Sequence, residues 1–169
     1  MLDELPMLFG STCLVCIALM DRDERNTRTL AVGGTAYALL LCAIYFLFPQ
    51  FFLVFFLGYG LSVSGMFVLS MMRIRDRDLP PVAAECCWAS CFSYFFGFGL
   101  WCFENMFCKN IPMWLKLHAA WHILAGFGTY MWIQYALVLR ALRLKKRPKL
   151  SSYLLIPYIR VTPGDDGSL

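Results

Sequence analysis

Charged residues are scarce in this chain. They make up 15% of its 169 residues, while hydrophobic residues make up 60% and the mean hydropathy is +0.61. A soluble domain carries about 25% charged residues, so a water-soluble globular fold is excluded and a polytopic membrane protein is expected. Histidine is scarcer still, with His118 and His122 as the only two. A positively charged start is also lacking. Met1 is followed by Leu2, Asp3 and Glu4, which is not how a secretory signal opens. No internal repeat is visible. The net charge of +4 is gathered in a few loops and does not form a nucleic-acid-binding surface.

What is present is a series of apolar runs, at 5–20, 29–48, 50–72, 82–103 and 118–139. Their lengths suit membrane-crossing helices, which need about 20 apolar residues. The reading is an all-α polytopic protein, with five transmembrane helices bundled over 1–139 and a basic tail over 140–169. Pro6 suits the first turn of the first helix, and Asp3 or Glu4 ahead of it can cap that turn. Pro49-Gln50 marks a tight turn, and Pro80-Pro81 stops any helix running through the second basic loop. Gly58, Gly60, Ser62, Ser64 and Gly65, then Gly97 and Gly99, are small residues that let helices approach closely. Glu85, near the entry to the fourth run, is expected to snorkel to the interface. The final TPGDDGSL is expected to be disordered.

Orientation follows from the loops. Arg22, Arg25 and Arg28, then Arg73, Arg75 and Arg77, then Arg140, Arg143, Lys145, Lys146, Arg147, Lys149 and Arg160 fall on one side, and only Lys109 and Lys116 on the other. The positive-inside rule makes the basic side cytosolic. The N-terminus and the ENMFCKNIPMW loop are then lumenal or exterior, and the C-terminus is cytosolic.

The two histidines share one helix face, because residues four apart stand one turn above each other. Neutral imidazoles in that arrangement suit zinc, and Ala125 and Thr129 continue the stripe. The plainer reading is a pair of interfacial histidines bonded to neighbouring carbonyls. Catalytic zinc usually has three protein ligands, and two are supplied here. Asp3, at the lumenal mouth of the first helix, and Glu104, at the end of the fourth, lie on the same side as the pair. Of the eight cysteines, Cys13, Cys16, Cys42, Cys86, Cys87, Cys91 and Cys102 lie in apolar runs and read as small hydrophobes. Cys13-x-x-Cys16 has redox spacing but lacks the redox-fold context. Cys108 alone lies in a loop.

Three segments taken together, MLDELPM, LWCFENMFC and LHAAWHILAGFGTY, resemble the alkaline ceramidases in text, order and topology. The basic RPK and the trailing IPY are also similar to that family. The resemblance implies a bundle of seven helices, of which this chain carries the last five, and one zinc bound through three histidines. His118 and His122 match the paired histidines of the last helix, and Asp3 matches the catalytic aspartate. Glu104 falls where the family more often has aspartate, and its role is left open. The family's first zinc histidine and its serine lie on a helix ahead of the LDELP segment, and its calcium-binding acidic segment lies further upstream. The resemblance therefore implies an N-terminally shortened member, without the calcium site and with little activity of its own. It also implies that the disulfide partner of Cys108 lies upstream, leaving a free thiol here.

The implied activity is zinc-dependent hydrolysis of the ceramide amide to a sphingoid base and a fatty acid. The partners implied are ceramide and membrane lipid, in the endoplasmic reticulum or Golgi, with no protein partner identified. The alternatives from other classes are a non-catalytic seven-helix zinc-type membrane receptor or lipid-binding protein, a haem protein with histidine axial ligands, and a shortened chain with a structural or regulatory role.

Overall fold

The computed structural model describes residues 4–22, 26–48, 52–75, 79–107, 117–153 and 156–162. Among them are five helices: α1 (Glu4–Arg22), α2 (Thr27–Leu47), α3 (Phe52–Ile74), α4 (Pro81–Phe107) and α5 (Leu117–Arg143). Two strands follow, β1 (Arg147–Tyr153) and β2 (Ile156–Thr162). Each helix covers one expected run, with ends shifted by a few residues. Pro81 opens α4, the position where a missing N–H costs nothing.

By length and composition, three helical stretches are apolar enough to cross a membrane: Thr27–Leu47, Phe56–Ile74 and Pro81–Glu104. The apolar part of α1, Pro6–Met20, is shorter than a span requires. The 27 residues of α5 are long enough, but two histidines, two glycines, Thr129, Gln134 and the terminal arginines lower its hydropathy.

The chain forms two units, 1–76 and 77–169. In the first, α1, α2 and α3 pack on one another. Leu8 and Leu41 are buried together, with Tyr37, Cys42, Tyr45 and Tyr59 around them. Hydroxyls in these helices are satisfied locally, as an apolar surrounding requires. Ser11 and Thr12 both donate to the Leu8 carbonyl, at 3.0 and 2.8 Å, and Ser70 donates to the Met66 carbonyl at 2.8 Å. Tyr37 Oη crosses from α2 to donate to the Gly58 carbonyl of α3 at 2.7 Å. Cys16 sits against Gly34 and donates to the Leu30 carbonyl, and Cys13 is exposed. Both sulfurs line a half-open apolar groove of about 260 Å³ between α1 and α2, so they act as small hydrophobes and not as a disulfide.

In the second unit α4 and α5 run antiparallel, and small residues set the closeness of their crossing. A Cβ on Gly97 would stand 2.9 Å from Leu124 Cβ and 3.0 Å from Trp121. One on Gly128 would stand 3.1 Å from the Ser90 carbonyl oxygen. Trp121 is buried at this crossing, edge-on to Tyr94 with ring centroids 5.1 Å apart and to Phe98 at 5.9 Å. Ser93 Oγ donates across the helix pair to the Leu124 carbonyl at 2.8 Å.

The segment beyond Arg140, read as a basic tail, is folded through Thr162. Helix α5 continues to Arg143 and closes with Lys146 N–H donating to the Ala141 carbonyl at 2.9 Å and Lys145 N–H to the Leu142 carbonyl at 3.0 Å. That is the left-handed helix stop usually made by glycine, here with Lys145 at φ 54°. The chain then forms an antiparallel hairpin with Leu150 opposite Ile159 and Lys149 opposite Arg160. The hairpin packs back on α5. Tyr130 Oη donates to the Pro157 carbonyl at 2.8 Å, and Ile159 N–H donates to Gln134 Oε1 at 2.8 Å. Of TPGDDGSL, expected to be disordered, Thr162 instead pairs with Arg147 at the end of β2, and residues 163–169 lie outside the described residues.

Candidate metal centre

Helix α5 presents both histidines in its first two turns. Helical periodicity stacks them, and their rings meet with centroids 4.6 Å apart and planes at 75°. The two Nε2 atoms are 2.9 Å apart. At that distance one Nε2 carries a hydrogen and the other offers a lone pair. A cation placed there would take both lone pairs and displace the shared proton. Two nitrogens bound to tetrahedral zinc at about 2.05 Å would stand about 3.3 Å apart, close to the separation of this pair. The donor set therefore fits zinc at two of its positions. His118 is exposed and His122 half-buried, which leaves room for further ligands on the outer side.

The first turn of α5 has no acidic residue of its own, although its free N–H groups favour a negative charge. Glu104 supplies one from α4, and its Oε2 accepts the backbone N–H of His118. This is a capping carboxylate delivered from a neighbouring helix. It fixes the peptide that carries the first histidine, a role that sequence spacing does not reveal because the two residues lie on different elements. Trp121 sits between the histidines in sequence and points to an adjacent side of the helix, into Gly97, Tyr94 and Phe98. It fixes the rotation of α5 and thus the direction of the pair.

No group of three histidine, cysteine, aspartate or glutamate side chains suited to a metal occurs among the described residues. Asp3, expected as the catalytic base, and Cys108 lie outside them. The structure brings together His118, His122 and Glu104, the last through its bond to the His118 backbone.

Residues 1–160 match the family model described as Ceramidase. Alkaline ceramidase 3 of Mus musculus is 29% identical over 168 residues, covering 89% of this chain and 60% of that protein. A putative alkaline ceramidase of Dictyostelium discoideum is 26% identical over 152 residues, covering 79% of this chain and 53% of that protein. The chain thus spans between half and two thirds of the length of these curated relatives. The family match covers the first unit and most of the second, including the histidine pair and most of the hairpin, and on that ground this chain belongs to the ceramidase family.

Proposed function

We propose that this chain carries the metal-binding helix of a membrane-embedded ceramidase, which cleaves the amide of ceramide to a sphingoid base and a fatty acid. The observation that carries the reading is the convergence of two imidazole Nε2 atoms on α5, in a chain that matches the ceramidase family across 1–160. His118 and His122 hold zinc through those nitrogens, and Glu104 keeps the first turn of α5 in place. A bound zinc supplies Lewis acidity, polarising the amide carbonyl and easing deprotonation of water. Asp3 takes the proton from the attacking water and passes it to the leaving amine as the carbon–nitrogen bond breaks. Water thereby adds its oxygen to the acyl carbon and its hydrogens to the two products.

In this reading α1 and α5 also cross the bilayer, as part of a seven-helix bundle of the family type. The basic loops and hairpin face the cytosol and the histidine end faces the lumen of the endoplasmic reticulum or Golgi. The asymmetric placement of arginine and lysine supports that orientation.

The test is equimolar release of fatty acid and sphingoid base from ceramide by the protein purified at its native length in detergent. Turnover is expected to disappear with a zinc chelator and return with added zinc. Binding of ceramide without cleavage, under zinc-replete conditions, would favour the receptor or lipid-binding alternative.

A further inference from the structure

The hairpin of β1 and β2 has two unlike faces. Its pairing register puts Pro148, Leu150, Pro157, Ile159 and Val161 on one face, and Ile159 there is buried. The other face carries Arg147, Lys149 and Arg160 toward the open end, with Tyr158, Tyr153 and Ile156 toward the turn. These side chains are exposed, Tyr153 by 71% and Ile156 by 56%. Lys149 stands directly opposite Arg160. Like charges in that position destabilise a strand pair unless an anion lies between them. No acidic residue occurs between Leu117 and Thr162. Arg140, Arg143, Lys145 and Lys146 add to the same positive end.

The hairpin edges are also adapted to a place with little water. Ile159 gives its N–H to Gln134, so that residue and Pro157 point out of the ladder, toward α5. Pro157 has no N–H to strand. Pro148 falls at the matching outward position of β1, two residues from the Leu150–Ile159 pair. Prolines and capped groups at such positions blunt an edge that hydrocarbon would penalise. The depth set by the proposed bilayer crossing of α5, on which this point rests, agrees with it. The 27 residues of α5 extend about 40 Å against about 30 Å of hydrocarbon. If the surplus lies at the C-terminal end, Gln134 falls a few ångströms inside the acyl boundary, where interfacial elements bury their apolar side chains.

We propose that the hairpin is a membrane-interface anchor whose partner is the anionic lipid surface at which α5 ends. Lys149 and Arg160 engage lipid headgroups, and Tyr153, Ile156 and Tyr158 enter the acyl boundary. Aromatic residues at the interface with cations outside them form the usual pattern of such contacts. The anchor lies on a different side of α5 from the histidine pair and goes beyond the hydrolase reading. It stands or falls separately from zinc binding.

The experiment is amide hydrogen exchange on the full chain in nanodiscs of phosphatidylcholine alone and with phosphatidylserine added. Exchange over 147–162 is expected to slow about five-fold or more in the anionic bilayer, with α5 unchanged up to Tyr130. The slowing should vanish at about 1 M salt, where screening acts within about 3 Å. It should also vanish in a Lys149→Glu/Arg160→Glu variant whose exchange in the neutral bilayer matches the unaltered chain. If that variant unfolds the hairpin in neutral lipid, the salt series on the unaltered chain decides. Equal exchange in the two bilayers, or slowing that survives salt, overturns the proposal. So does slowing reproduced by inorganic phosphate in the neutral bilayer, which would indicate an anion site. Protection that rises with protein concentration in both lipids would assign the face to a second copy and likewise overturn it.

Discussion

Glu104 of α4 accepts the backbone N–H of His118, so the peptide of one histidine of the pair is fixed by the neighbouring helix. The bond spans the junction between α4 and α5 and neutralises the start of a helix that has no acidic residue in its first turn. Replacing Glu104 by alanine removes a cap worth about 1 kcal/mol and frays that turn. Glu104→Gln keeps an acceptor and loses only the charge, worth about 0.3–1 kcal/mol. Zinc affinity is expected to fall in the order native, Gln, Ala, and amide exchange at the start of α5 to rise in the same order. Equal zinc affinity in all three would mean that Glu104 plays no part in positioning His118.

The histidine pair makes a prediction about metal alone. Changes outside the ligand set of zinc sites cost about 10- to 100-fold in affinity, and loss of a ligand costs at least as much. His118→Ala and His122→Ala are each expected to weaken zinc binding about 100-fold or more, with helix content by circular dichroism unchanged. Zinc content measured on protein purified without chelators checks this. Unchanged zinc in either variant would place the metal elsewhere.

The α4–α5 crossing separates two glycines that look alike in the sequence. A methyl on Gly128 meets the Ser90 carbonyl oxygen at 3.1 Å, against backbone that cannot swing aside, while Gly99 has open space around its position. Gly128→Ala is therefore expected to destabilise by about 1–3 kcal/mol through overpacking. Gly99→Ala is expected to be neutral or to stabilise by up to about 1 kcal/mol, as alanine favours the helix. Unfolding in mixed detergent compares the two directly. The contrary order would mean that the crossing is not held by close contact at Gly128.

Gln134 holds the hairpin through the Ile159 N–H. Gln134→Ala strands that buried donor at a cost of about 1–3 kcal/mol, whereas Gln134→Glu retains an acceptor. The Ile159 amide is expected to exchange about 10-fold faster or more in the alanine variant, and cleavage of the 147–162 segment by trypsin to accelerate. A hairpin equally protected in both variants would show that Tyr130 and the apolar face hold it without Gln134.

The helices were legible because uncharged runs of helical length leave little choice in lipid, and the histidine pair was legible because four-residue spacing is one helical turn. The hairpin was not. Its strands read RPKLSSY and IPYIRVT, and a proline in each argues against strand structure. Those prolines occupy outward positions where no ladder donor is needed, which only the register shows. The basic character of Lys145 to Lys149 also masked the alternation beyond it. The Glu104–His118 bond was hidden because it joins a side chain to a backbone group on another helix. Three of the five expected spans are marked by length and hydropathy; α1, whose apolar part ends at Met20, and α5, diluted by polar residues, are legible as helices.

The most direct measurement is sphingoid-base release from ceramide by the protein at native length, compared with Asp3→Asn and with a His118→Ala/His122→Ala double variant at matched amounts in the same detergent. The account predicts turnover in the unaltered protein. It predicts loss of both turnover and zinc in the double variant. In Asp3→Asn it predicts a loss of turnover about 100-fold or greater with zinc retained, since that change removes only the base. Turnover that survives in the double variant would contradict the assignment of α5 as the metal-binding helix of a ceramidase.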